Sequence, residues 1–430
     1  MPLVRMIDLL SIFGDEVVKV RRATADYGAS REIAKAGRSP ILIEDVDQKG
    51  PVLSNLLTEK HRALKLLGFD DEERFFNAFL NSMKSHQALK ELPLDNSGLI
   101  KWHSNDCGAL PILKYYEKDA GRYVTSSVVL ARWPDTALVN ASIHRMLYLG
   151  DNKFALRMVE GRHLHQIYSK NKEMNKDTEV CVLIGALPHV LLAAATQISE
   201  DYSELEMAGS LMGKQLEVVY PDGSEIPSPA ETEFLLKGKL RKDLSAREWM
   251  TDILGTYDIP RDQPVLEVEE LYAKENPIYH AILPAGYEHK FLMGFPAEVK
   301  IREALKERGI VFKEINLTAG SGGWLHCVVS ICKMRDIDGK EVIITALKAH
   351  KSLKGVVVVD EDIDPGVYED VDFAFATRFQ GDGVMFFRGV RGSSLDPSSD
   401  QEKLLTNKWG VDLTLPLGSS KARFEKARIP

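Results

Sequence analysis

The spacing of apolar residues changes character along the chain. Leu3–Ile12 has helical spacing and reads as a short amphipathic helix, Pro40–Val46 as a strand and Glu72–Ser85 as a helix. Turn formers at Asn96–Gly98 and Gly108–Pro111 close this first α/β segment. From about Gly121 the period shortens to two. Arg122–Arg132 is strand-like, and Ala137–Leu149 and Lys153–Val159 are β-rich runs joined by Gly150-Asp151-Asn152, a hairpin signal. Glu179–Gly185, Leu216–Tyr220 and Glu233–Leu240 add strands. Between them lie a helix opening at Pro188 and another over Ser203–Met212, closed by Gly213. Mostly antiparallel strands with few helices predict a barrel-like middle domain, with a boundary at Pro260–Pro264. The last third alternates: helix Ala297–Arg308, extended Val311–Leu317, strand Trp324–Lys333, helix Val342–Ala349, strand Gly355–Val359, helix Tyr368–Arg378 and strand Met385–Phe387. That alternation predicts an α/β layer domain. The tail from Gly392 reads as polar and irregular.

Length and composition refine this picture. At roughly 150 residues per domain, 430 residues suggest three units: 1–115, 116–262 and 263–430. Hydrophobic residues at 44% and charged residues at 27% exclude a fibrous or largely disordered chain. The longest apolar run, Pro188–Ala195, falls short of the roughly 18–20 residues of a membrane span. The opening MPLVRMIDLL lacks a signal-like cleavage site, so a cytoplasmic protein is expected. A net charge of -8 argues against nucleic acid as the main partner. Cys107, Cys181, Cys327 and Cys332 form no C-x-x-C pair and read as buried thiols.

Candidate chemistry concentrates in the middle domain. The Gly-rich run Thr318–Gly323 precedes a strand, so it lacks the helix N-terminus that makes such loops anion sites. Asn140, Ser142 and His144 share one face of a strand, with Ile143 and Arg145 on the other. Further on lie His163, His165 and the helix start Ser203-Glu204-Leu205-Glu206. Asparagine, imidazole and carboxylate suit Mg²⁺ or Mn²⁺. Two other readings stand beside this one: helix-start histidines, and a capping box of Ser203 with Glu206 that leaves Glu204 a first-turn carboxylate. The acidic run Asp360–Asp364 reads as a solvated turn or, less readily, a metal site.

The segment NASIHRMLYLGDNKFALRMVEGRHLHQIY (Asn140–Tyr168) resembles the cofactor-binding core of the UbiD family of decarboxylases. The resemblance continues through Cys181–Thr196, Leu254–Ile259, Asn276–Gly294 and Val356–Asp364, and ends in Arg391–Ser399 and Arg423–Pro430. Within the family it is most similar to the archaeal-type branch that converts trans-anhydromevalonate 5-phosphate to isopentenyl phosphate. It implies an α/β (α+β) fold: an N-terminal α/β segment, a split β-barrel holding prenylated FMN, and a C-terminal α/β domain that drives self-association. Asn140, His163 and Glu204 match the metal ligands, for Mn²⁺ or Mg²⁺ with K⁺ alongside. Ser142, Ile143 and His144 match the strand along the flavin, and Arg162 and Lys351 match cofactor contacts. Arg145 matches a cofactor-contacting catalytic arginine whose planar fork suits a carboxylate. The implied partners are an unsaturated acid substrate, a flavin prenyltransferase supplying the cofactor, and further copies of the chain.

The family's catalytic loop, E-G-P-F-x-[DE], is altered here to Arg247-Glu248-Trp249-Met250-Thr251-Asp252. Asp252 keeps the final acid as the expected proton donor. Arg247 replaces the first glutamate, and Glu248 takes its role if the loop shifts by one residue. An inward Arg247 would depress the pKa of Asp252, opposite to what a proton donor needs. For a phosphorylated substrate, His280, His289 and Lys290 are the candidate anion-binding groups. The alternatives are a diverged non-catalytic scaffold or flavin-binding subunit, a decarboxylase of aromatic acids, and a metal-dependent hydrolase.

Overall fold

A computed structural model describes residues 5–102, 105–136 and 138–427. Leu3 and Val4 of the first expected helix, Ala137, and the last three residues of Arg423–Pro430 lie outside that range. The chain divides into two compact units, residues 1–292 and 293–430. The expected boundary near 262 falls inside a strand, and the one near 115 falls inside the first unit.

In the first unit a small sheet joins β1 (Val18–Val20), β2 (Ile41–Ile43) and β3 (Val52–Ser54), with Tyr279–His280 parallel to β3. Helix α1 (Gly28–Ala36) follows Tyr27, which takes a left-handed φ of 66°. Helices α2 (Lys60–Leu67) and α3 (Glu72–Ser82) follow, and α3 is capped by Asp71, whose side chain accepts from Arg74 N.

The barrel consists of β4 (Tyr123–Arg132), β5 (Val139–Gly150), β6 (Lys153–Leu156), β7 (Thr178–Ile184), β8 (Phe234–Glu248) and β9 (Arg261–Ala273). Its antiparallel order is β8-β7-β4-β5-β6-β9, closed by β8 pairing with β9. The core holds the inward residues of every strand, among them Val129, Met146, Phe154, Val182, Leu236 and Leu266. Helices α4 (His163–Glu173), α5 (Pro188–Ala194) and α6 (Glu204–Met212) connect or flank these strands. Strand β9 corrects the expected boundary at Pro260–Pro264. Pro264 pairs with Ser245 beside a register shift in β8, where a missing N–H is tolerated. Helix α7 (Tyr287–Glu307) runs across the division at residue 292.

The second unit is a sheet of β10 (Phe312–Leu317), β11 (His326–Ile331), β12 (Gly355–Asp360), β13 (Val384–Arg391) and β14 (Leu405–Asp412), in the order β10-β11-β12-β14-β13. Alternate residues feed two cores. Val329, Val356 and Val358 pack with Ile343 and Ala346 of α8 (Asp338–Ala349), and Val328, Val357 and Val359 pack with Ala374 of α9 (Tyr368–Arg378). Strand β14 corrects the expected irregular tail. Its hydrophobic signal is thin because close packing uses glycine: a Cβ on Gly410 would overlap Ile343, and one on Gly355 the Trp409 ring. Asp360 and Asp362 of the acidic run are bridged by the buried Arg378, at 2.9 and 2.6 Å. The cysteines form no disulfide among the described residues. Three are buried and Cys332 is partly exposed. No described helix is long and apolar enough to cross a membrane.

Candidate active site

Strand β5 carries different chemistry on its two faces. On one, Asn140 Nδ2 donates to Ser142 Oγ at 2.9 Å, Ser142 Oγ meets His144 Nε2 at 2.8 Å, and His144 Nδ1 meets the Arg157 carbonyl at 2.8 Å. A carbonyl only accepts, so Nδ1 bears the proton and Nε2 accepts from the serine. The imidazole is therefore neutral. Burial pushes its pKa down to about 4, reinforced by the Arg157 charge against the pull of the carbonyl bond. This ladder uses the Asn140 amide nitrogen and turns its carbonyl oxygen away from Ser142.

Glu204 is held at the residue that follows Asn140. Its Oε2 accepts from Ala141 N at 2.8 Å, and the side chain is buried at the start of α6. Ser203 and Glu206 form the expected capping box, and Ser203 Oγ also donates to the Val139 carbonyl, docking α6 onto β5. Burial raises the Glu204 pKa to about 7, and no cation pairs with it among the described residues. A buried carboxylate without a cation, held at the residue next to Asn140, fits a divalent ion. His163 opens α4 with its ring 5.8 Å from Trp133 and Nε2 3.5 Å from Glu200. Arg162 is exposed and donates to Gln197. Ile143 pairs in register with Val128, and residues 142–145 are half-open between buried neighbours, leaving the middle of β5 accessible to a flat ligand. Lys351 lies in the second unit, where its carbonyl accepts from Lys408 Nζ.

The other face holds Arg145. Its Nε donates to Glu248 Oε2 at 3.2 Å, and its Nη2 donates to Glu248 Oε1 at 2.9 Å and Asp258 Oδ2 at 3.0 Å. Three of the five guanidinium donors are thus used. Nη1 makes no hydrogen bond among the described residues, so its two N–H groups remain for an incoming carboxylate. Glu248 is fully buried and also accepts from Tyr123 Oη at 3.1 Å. Glu248 points inward to Arg145, and Arg247 is exposed.

After β8 the chain forms a hairpin in which Asp252 N donates to Thr256 O and Asp258 N to Met250 O. Asp252 Oδ1 accepts from Leu254 N and Thr256 Oγ1, and no contact with Arg145 is observed. Burial holds the Asp252 pKa above its ordinary value, helped by Asp258 and opposed by its hydrogen bonds. Arg247 takes no part in that shift. Asp258 behaves oppositely. Burial pushes it up, but Arg261 and Arg145 outweigh burial and hold it low. Asp258, Tyr123 and Asp119 are the members of this cluster that sequence reasoning missed. Asp258 stood within the matched Leu254–Ile259, but its role depends on the hairpin returning it to Arg145.

Comparison with known proteins gives the family. Residues 88–287 match the 3-octaprenyl-4-hydroxybenzoate carboxy-lyase Rift-related domain, and 290–413 match the C-terminal domain of the same enzymes. The anhydromevalonate phosphate decarboxylase of Methanocaldococcus jannaschii is 40% identical over 416 residues, covering 96% of this chain and 97% of that one. Its namesake from Methanothermobacter thermautotrophicus is 37% identical over 427 residues, covering 98% and 99%. Among solved structures, the UbiD-class enzyme HmfF from Pelotomaculum thermopropionicum in complex with FMN superposes with a TM-score of 0.92 at 27% identity, over 99% of this chain and 97% of that chain. A carboxylate-ready arginine on a barrel strand and full-length likeness to decarboxylases lead to one conclusion: the chain belongs to the UbiD family of carboxy-lyases.

Proposed function

We propose that this chain decarboxylates a phosphorylated α,β-unsaturated acid, trans-anhydromevalonate 5-phosphate to isopentenyl phosphate, using prenylated FMN. The observation that carries the reading is the state of Arg145: one edge is fixed by Glu248, and Nη1 is left to receive a carboxylate. The substrate follows from relatives of that name at 37–40% identity over nearly the whole chain. Prenylated FMN, when bound, supplies the electron sink that lets CO₂ leave. Asn140, His163 and Glu204 would hold Mn²⁺ or Mg²⁺, with K⁺ as a further ion, and the positive charge would offset that of the anionic cofactor. Ser142, Ile143, His144 and Arg162 complete the cofactor contacts.

Arg145 orients the substrate carboxylate, and Glu248 keeps the guanidinium planar to it. Asp252, whose burial raises its pKa, delivers the replacing proton. The cofactor-binding part is the barrel, which follows the segment 1–115 and runs on through β9 to Ala273, and the C-terminal part self-associates. The protein works in the cytoplasm as a homo-oligomer, with a flavin prenyltransferase as cofactor supplier.

The test is production alongside a flavin prenyltransferase, followed by mass spectrometry of the bound flavin and CO₂ release from the phosphorylated acid. Arg145→Ala should abolish release. Flavin-free protein, or release unaffected by that substitution, would sink the proposal.

A further inference from the structure

The groups that sequence offered for a substrate phosphate are held by the protein itself. His280 is fully buried with Nε2 3.2 Å from Glu288 Oε1. His289 Nδ1 accepts from Ala285 N at 3.2 Å, and burial, reinforced by the Arg145 charge, pushes its pKa down to about 4. Lys290 lies over the Tyr287 ring, which Arg38 also covers.

The first unit contains a cavity of about 410 Å³ whose lining includes Tyr27, Arg31, Tyr115, Tyr116, Glu117 and Leu283. One of its walls is hydrogen-bonded through Asp119 to Thr251, the residue before Asp252. Tyr116 N donates to Asp119 Oδ2 at 3.0 Å, and Asp119 feels the Arg145 charge while binding Thr251 through its other oxygen. Tyr116 Oη donates to the Pro284 carbonyl at 2.8 Å, next to Leu283. That segment continues to His289, which also feels Arg145. Tyr115 Oη is tied to Thr125 Oγ1, so its polar end is already satisfied.

The rim supplies positive charge. Arg31 is exposed, and its guanidinium has no ion pair or hydrogen bond among the described residues. Lys114 Nζ lies 5.5 Å over the Tyr27 ring. Tyr27 holds a left-handed φ rare for an aromatic residue, with its N–H donated to the Lys114 carbonyl. Glu117 is the opposing charge on the same rim.

We infer that this cavity seats the body and far end of the substrate. Tyr115, Tyr116 and Leu283 pack against a short unsaturated hydrocarbon chain, and Arg31, assisted by Lys114, grips a phosphate monoester remote from the carboxylate that Arg145 holds. Arginine suits the task because its fork matches phosphate oxygens. The assignment rests on the reading of the protein as a decarboxylase of a phosphorylated acid.

The test uses the full chain and two probes, isopentyl phosphate and isopentanol, titrated by calorimetry. The wild type should bind the phosphate and discriminate against the alcohol. Arg31→Ala should weaken phosphate binding about 10- to 100-fold, the loss of a charge-assisted contact. Arg31→Lys should weaken it less, and Glu117→Gln should tighten it. Wild-type protein that ignores isopentyl phosphate, or Arg31→Ala protein that binds it undiminished, overturns the assignment. With loaded enzyme, Arg31→Ala should lower kcat/KM for the phosphorylated acid by a similar factor, mainly through KM. Arg31-dependent phosphate binding without CO₂ release would refute the decarboxylase reading and leave the cavity assignment standing. CO₂ release indifferent to Arg31 would refute the cavity assignment alone.

Discussion

The two faces of β5 solve different problems with neighbouring residues. The Arg145 face is built from full charges: Glu248 and Asp258, each within 3.2 Å of the guanidinium. The Asn140 face is built from neutral dipoles, a ladder ending on a backbone carbonyl. Removing one buried charge strands its partner, whereas removing one rung of the ladder loses only hydrogen bonds and an orientation. A charge cluster can hold and release an anion. A neutral ladder can only fix the direction in which an amide oxygen points.

The largest effect should therefore come from Glu248→Ala. It leaves Arg145 buried without its main partner, and breaking a buried pair costs about 3–5 kcal/mol. Denaturant unfolding should show that loss, while Mn²⁺ affinity at the Asn140 face stays within a factor of a few. A melt indistinguishable from wild type would mean that Arg145 is not held as the structure places it.

Next comes Asp252→Asn, which should slow turnover about 10²- to 10⁴-fold with little change in stability. Because burial raises the Asp252 pKa, the folded protein keeps this proton to higher pH than the unfolded chain does. Activity that needs the protonated form falls as pH rises through the folded value. The stability contribution has the same sense: it declines between the unfolded value, about 3.9, and the raised one, since there the native state binds the extra proton. Asp258 runs the other way. Its lowered pKa gives stability that is present above the unfolded value and lost as pH falls through the folded one. In Asp252→Asn the alkaline fall in activity should vanish. A pH–rate profile that keeps that limb would assign the proton to another group.

Much of this arrangement was legible in the sequence. The period of two placed Asn140, Ser142 and His144 together, and the hairpin signal at Gly150–Asn152 placed β6 beside β5. Helix α1 was not legible, because it starts after a left-handed Tyr27 without a side-chain cap. Strand β9 was hidden by Pro264 and by acids at alternate positions, and β14 by its glycine. In the site, Glu248 lies beyond a register shift between Leu240 and Ser245, so the period of two could not carry its inward turn from the buried Leu236 and Leu240. The polar, exposed run at Asp243–Ser245 concealed that the strand continued. Asp258 could not be read, since its place beside Arg145 is made by backbone bonds of the 250–258 hairpin.

His144→Ala tests the neutral face at a middle scale. It removes the acceptor that orients Ser142 and leaves the Arg157 carbonyl without this donor, at a cost of about 1–3 kcal/mol. The Asn140 amide is then free to flip, so Mn²⁺ affinity measured by calorimetry on the flavin-free chain should drop. Glu248→Ala should leave that affinity nearly intact. Equal losses in both variants would mean that the two faces are not independent.

The smallest effect should belong to Arg247, and its smallness is informative. By sequence, Arg247 stands where the family's loop carries its first acid, so an inward side chain would sit beside Asp252 and hold that carboxyl ionised. In the structure it is exposed, pairs through its backbone register with Asp262, and contributes nothing to the Asp252 shift. Surface substitutions of this kind usually stay within about 0.5 kcal/mol. Arg247→Ala should accordingly leave the melt, the turnover and the alkaline limb of the pH profile where they are. Had the guanidinium faced inward, its removal would move that limb to higher pH, because a neighbouring positive charge favours the ionised carboxylate. A shifted limb in Arg247→Ala would thus reverse the assignment of Glu248 and Arg247 to opposite sides of β8, and with it the claim that Glu248 rather than its neighbour joins Asp258 in anchoring Arg145.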